Sequence, residues 1–74
     1  AKPNVMLGPL YRDLGKQIRS LRKAQGISQS ELAKKMGTSQ QWISLAERGR
    51  INLTLNLMQR ISKALQAELE INLK

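Results

Sequence analysis

Residues 26–50 read GISQSELAKKMGTSQQWISLAERGR, and the order of polar and apolar positions in this stretch decides the fold. Ser28 followed three residues later by Glu31 is a capping box, so a helix is expected to begin at Gln29. Leu32, Ala33 and Met36 give that helix one apolar face, and Gly37 stops it after about eight residues. Ser39 can then cap a further helix from Gln40 to Arg48, with Ile43 and Ala46 turned inward and Gly49 just past its end. Neither segment is long enough to be stable alone, so the two must bury their apolar faces on each other. Two short helices joined by a three-residue turn containing Gly make a helix-turn-helix. Ala33 is small where the helices approach, Gly37 takes the turn, and Leu32, Met36, Ile43 and Ala46 form the shared core.

Working outward, Leu10, Leu14, Ile18, Leu21 and Ala24 recur at helical spacing, and Gly26 is placed to end that helix. On the other side Thr54 can cap a last helix with Leu55, Met58, Ile61 and Leu65 on its apolar face and Leu57 and Ala64 off to one side. Residues 1–9, AKPNVMLGP, carry both prolines of the chain and read as an extended arm before a domain spanning residues 10–66. Residues 67–74 change period: Ala67, Leu69, Ile71 and Leu73 alternate with Glu68, Glu70, Asn72 and Lys74, the pattern of a β-strand. A lone strand lacks a ladder partner in a helical domain. Leu69, Ile71 and Leu73 are therefore expected to form a dimer strand, paired with the same strand of a second copy. The expected fold class is all-α, a compact four- to five-helix domain with this short strand appended.

Composition narrows the function classes. Seventy-four residues suffice for one core, and with no Phe it must be built from Leu, Ile, Ala and Met. Association of copies is a common remedy for so small a core. There is no Cys and no His, which removes disulfides, the usual zinc ligands, a thiol nucleophile and an imidazole base. The five carboxylates are scattered and no glycine-rich phosphate loop is present, so neither an enzyme nor a cofactor or metal site is expected. No apolar run approaches the roughly 20 residues of a membrane span, and no signal peptide is read, so a cytoplasmic protein is expected. The chain starts at Ala1 rather than Met, as a processed or trimmed chain would. The net charge of +8 points to a polyanionic partner, nucleic acid before membrane. Against that background Met36 to Ala46 holds eleven residues without a charge.

The stretch from Gly26 to Arg50 resembles the helix-turn-helix of the phage-repressor and Cro-like (xenobiotic-response-element type) DNA-binding domains. The likeness runs from about Leu14 to Leu65 and includes ISKAL, residues 61–65, similar to the family's last helix. It implies a third helix entering the DNA major groove, usually in a homodimer on a palindromic operator of double-stranded DNA. The uncharged stretch then has a reason, because base edges require groups that both donate and accept hydrogen bonds. Gln40, Gln41 and Ser44 are assigned to base reading, with Ser39 beside them. Leu45 departs from the family, where a polar reader is frequent, and either touches a thymine methyl or reads nothing. Trp42 replaces a small hydroxyl residue; its indole N–H can donate to a phosphate, or its ring can cover the helix pair.

Gln29 is similar to the family's backbone-anchoring glutamine, where a side-chain amide and helix N-terminal N–H groups hold a phosphate. Arg48, Arg50 and Asn52 are expected on the neighbouring phosphates, with Lys16 a further candidate; Arg19 and Lys23 more often belong to a solvated face. The resemblance places Arg22 and Glu47 as a partly buried, structural ion pair between the first and third helices. The expected function is a sequence-specific, DNA-binding repressor of bacterial or phage origin. A second expectation is an antitoxin similar to the HipB-like group, which restrains a toxin protein and represses its own operon. That reading rests on the short chain and the strand directly after the last helix.

Overall fold

The computed structural model describes residues 3–70, which form four helices: α1 (Pro3–Ala24), α2 (Gln29–Met36), α3 (Gln40–Glu47) and α4 (Leu55–Leu65). The all-α class and the helix-turn-helix, α2 and α3 joined by residues 37–39, are as the sequence leads one to expect.

The caps explain the boundaries. Ser28 and Glu31 complete both arms of the capping box: the Glu31 N–H donates to Ser28 Oγ at 3.0 Å and the Ser28 N–H donates to Glu31 Oε1 at 2.9 Å. Ser39 Oγ accepts from Trp42 N–H at 3.1 Å, and Thr54 Oγ1 from Leu57 N–H at 3.1 Å. Each cap satisfies one of the donors that a helix start leaves without an intrahelical partner. At the other end of α2, Gly37 sits at φ 68°, and the N–H groups of Gly37 and Thr38 fold back onto Lys34 and Ala33 carbonyls. The same closure ends α4 with Gln66 at φ 53°, a left-handed position held by a residue with a Cβ.

The core is a single cluster drawn from every helix. Leu14, Ile18, Leu32, Ile43, Ile61 and Leu65 are fully buried, joined by Ala33, Met36, Ala46, Leu53 and Met58. Burying a side chain of the Leu or Ile kind contributes about 1.5–3 kcal/mol, so these six dominate the stability of a chain this small. α1 crosses α3 at unusually close range through Gly15, which is buried. A Cβ at Gly15 would lie 2.5 Å from the Glu47 carbonyl oxygen and 2.6 Å from that of Ala46. Only glycine leaves room there for the α3 backbone.

Three expectations are corrected. Residues 3–9 are helical, not an extended arm, and continue α1 through Pro9. A proline inside a helix forfeits one hydrogen bond and crowds the carbonyl four residues back, yet α1 runs on through Pro9 into the turns that bury Leu14 and Ile18. Leu55 does not line the core. It is 71% exposed, because the α4 register that buries Met58, Ile61 and Leu65 turns its first residue outward. Residues 67–70 form no strand. Glu70 is instead held by α1 of its own chain: its N–H donates to Gln17 Oε1 at 2.8 Å, and Gln17 Nε2 donates to its carbonyl at 2.6 Å. A side-chain amide thus takes the place of a neighbouring strand. Leu69 packs on the edge of the core, and Ile71 and Leu73 lie outside the described residues.

Candidate nucleic-acid interface

α3 divides its side chains between two jobs. Ile43, Ala46 and Glu47 are buried against α1 and α2, while Gln40, Gln41 and Leu45 are exposed and Ser44 is half-buried between the two groups. At 3.6 residues per turn, Gln40, Gln41, Ser44 and Leu45 fall on one continuous strip of the helix. The strip carries amides, a hydroxyl and one aliphatic group and no charge. Leu45 is 36% exposed. Ser39 precedes the strip, but its hydroxyl already accepts from Trp42 N–H, which leaves it a donor to offer outward.

The buried side is locked by ions. Arg22 Nε donates to Glu47 Oε2 at 2.6 Å and Arg22 Nη2 to Oε1 at 3.1 Å, a two-pronged pair joining α1 to α3. Arg22 Nη1 also donates to the Ile27 carbonyl at 2.9 Å, tying in the turn before α2. The hydrogen bond to Glu47 raises the Arg22 guanidinium above its ordinary value, so it is charged at any accessible pH. Gln29 joins this network: its Nε2 donates to Glu47 Oε1 at 3.1 Å. Nothing in the sequence around Gln29 signals this contact, which joins residues 18 positions apart. The amide that could meet a phosphate from the first turn of α2 is thus oriented by the carboxylate of α3.

The remaining phosphate candidates fall in two places. Arg48, Arg50 and Asn52 are exposed on the segment leaving α3, with Arg48 Nε turned back to the Ser44 carbonyl at 3.4 Å. Lys16 is exposed on α1, next to the Gly15 that meets the end of α3. The structure brings exposed Arg12 beside them: Gly49, at φ 72°, packs so closely on the Arg12 backbone that a Cβ there would lie 2.6 Å from its Cα. Its only sequence signal is the spacing Arg12–Lys16 of one helical turn. Trp42 stands apart. Its ring is half-buried against the core cluster, beside Gly37, Thr38 and Leu57, so it covers the junction of α2, α3 and α4.

This geometry has close counterparts. The helix-turn-helix model HTH_3 matches residues 18–72. The chain belongs to the HTH_3 helix-turn-helix family. Within it, an uncharacterised HTH-type transcriptional regulator of Archaeoglobus fulgidus is 37% identical over 54 residues, covering 73% of this chain and 77% of the relative. Another, from Methanothermobacter thermautotrophicus, is 43% identical over 51 residues, covering 69% and 74%. Among solved structures, the restriction-modification controller protein C.AhdI of Aeromonas hydrophila superposes with a TM-score of 0.77 at 31% identity, covering 84% of this chain and 90% of that one. The clp gene regulator ClgR of Corynebacterium glutamicum gives 0.77 at 34% identity, covering 80% and 76%. This HTH_3 chain is therefore a transcriptional regulator of the DNA-binding, Cro- and C1-like kind, and its family and relatives are regulators rather than enzymes. Among the described residues no helix is long and apolar enough to cross a membrane.

Proposed function

We propose that this chain is a sequence-specific repressor that acts in the cytoplasm as a homodimer on a palindromic operator, with α3 in the major groove. The observation that carries the reading is the uncharged, outward strip of α3 set on a helix whose other side is clamped by Arg22, Glu47 and Gln29. In this reading Gln40 and Gln41 read base edges, Gln being suited to adenine, and Ser44 and Ser39 add hydroxyl contacts. Leu45 meets a thymine methyl. Arg48, Arg50, Asn52 and Lys16, with Gln29 at the start of α2, hold phosphates and set the register. Trp42, half-buried against the core cluster, is read here as a cover for the helix pair, the second of the two roles the sequence offers it.

Selection from random duplexes with the full chain tests this. The expected result is an inverted repeat whose half-site centres lie about 34–36 Å apart. A single unrepeated half-site overturns the dimer, and no enriched sequence overturns sequence-specific reading. A promoter carrying the selected site is expected to fall in output when the chain is supplied; a rise overturns repression. Sedimentation equilibrium of the full chain beside one ending at Gln66 tests the tail as dimer element. Loss of the dimer on truncation supports it, and unchanged association moves the interface elsewhere. The antitoxin alternative is the second reading: residues 67–70 form no strand within the chain, so it keeps only the short chain as its support, and co-purification with a toxin protein is the result that would favour it.

A further inference from the structure

On the face of α2 turned toward α4, two depressions meet. One, of about 370 Å³, is walled by Lys35, Arg60 and Lys63 with Met36 and Ala64 at its base. The other, of about 150 Å³, is lined by Trp42 and Leu57 and bordered by the Gly37–Thr38 turn, and is called the slot below. Met36 and Arg60 belong to both. Arg60 is fixed at the junction, its Nη2 donating to the Met36 carbonyl at 2.8 Å, which leaves other N–H groups of the guanidinium for an anion.

We propose that these depressions form one binding site for a small aromatic phosphate, a ligand of nucleoside-monophosphate chemistry. Its flat ring enters the slot against the Trp42 indole and its phosphate lies among Lys35, Arg60 and Lys63. Lys35 and Lys63 sit in the last turns of α2 and α4, where cations complement the helix ends. That accounts for their positions along each helix, but not for their sharing one groove with Arg60 and no carboxylate among its described lining residues. Three cations suit a doubly charged phosphate better than a single carboxylate. Size fits as well, since small-molecule sites run to about 300–1,000 Å³ and combine an apolar wall with a few placed polar groups. The site shares no residue with the base-reading strip of α3, so the proposal does not rest on DNA binding.

Trp42 is the only tryptophan in the chain, so its emission reports on the slot directly. The full chain is titrated without DNA using adenosine 5′-monophosphate, adenosine and inorganic phosphate in parallel. The monophosphate is expected to change the emission saturably, with adenosine and phosphate each weaker by about tenfold or more. The K35Q/K63Q double variant alters two exposed side chains and is expected to keep its circular dichroism while weakening the monophosphate by a similar factor. R60Q is expected to act in the same direction. The absence of a saturable change overturns the proposal. So does phosphate binding as tightly as the monophosphate, or a double variant that binds it as the natural chain does.

Discussion

The two sides of α3 are built on opposite terms. On the inner side Glu47 accepts from Arg22 and Gln29, and Ile43 is fully buried, so each group is fixed by several neighbours. On the outer side Gln40, Gln41 and Leu45 are exposed, and the fold assigns them no packing role. The difference teaches that position and specificity are separate properties of this helix. The inner residues decide where the strip stands, and the outer residues decide what it would recognise on the proposed function.

That separation can be broken most severely at Glu47. Replacing it with Ala leaves the Arg22 guanidinium buried without its partner, and a loss of about 3–5 kcal/mol is expected in urea unfolding. Replacing both residues by apolar ones of similar volume is expected to recover most of it. Gly15→Ala comes next. Its new methyl would collide with the α3 backbone, and a loss of about 1–3 kcal/mol is expected, read from the thermal midpoint. Gln41→Ala sharpens the contrast from the other side. Operator affinity is expected to fall by about 1–3 kcal/mol while unfolding stability stays within about 0.5 kcal/mol. A matching loss in both measurements would mean that the outer strip is part of the fold after all.

The smallest effect concerns Glu31, the exposed carboxylate in the first turn of α2. The Ser28 backbone N–H, above all, holds the Glu31 carboxyl below its ordinary value. Its contribution is therefore complete above the unfolded-state pKa and disappears as pH falls through the lower, folded-state value. Thermal melts of the natural chain and Glu31→Gln are expected to differ at neutral pH and to converge in acid. Curves that stay parallel down to acid pH would remove the charged cap from the account.

Local chemistry made much of this legible in advance. Ser28 with Glu31, Ser39, Thr54, Gly37 and Gly49 mark the helix ends through bonds between near neighbours, and those signals depend on little else. The core positions on α2 and α3 followed from periodicity. Leu55 was misread because one apolar residue at a helix start satisfies the period without being on the side that meets a neighbour. Residues 3–9 were misread because Pro and Gly lower helix propensity locally, whereas the helix there is extended by the packing of residues far along α1. The segment at residues 67–70 shows a related dependence on distant contacts. Its alternating pattern survives, with Ala67 and Leu69 half-buried and Glu68 and Glu70 exposed, but the backbone partner is Gln17, more than fifty residues away. The site followed the same division: exposure of the α3 strip could be read from the sequence, whereas the Gln29–Glu47 contact and the approach of Arg12 to Gly49 depend on how the helices cross.

Gly15 has a consequence for how such a regulator can change. Because Gly15 of α1 meets the α3 backbone itself, that contact is indifferent to which side chains α3 carries outward. On the proposed function, a lineage can exchange Gln40, Gln41, Ser44 or Leu45 and acquire a new target without rebuilding the interior, much as a key can be recut while its shank still fits the same handle. The cost of that freedom is concentrated in one residue that must have no side chain at all.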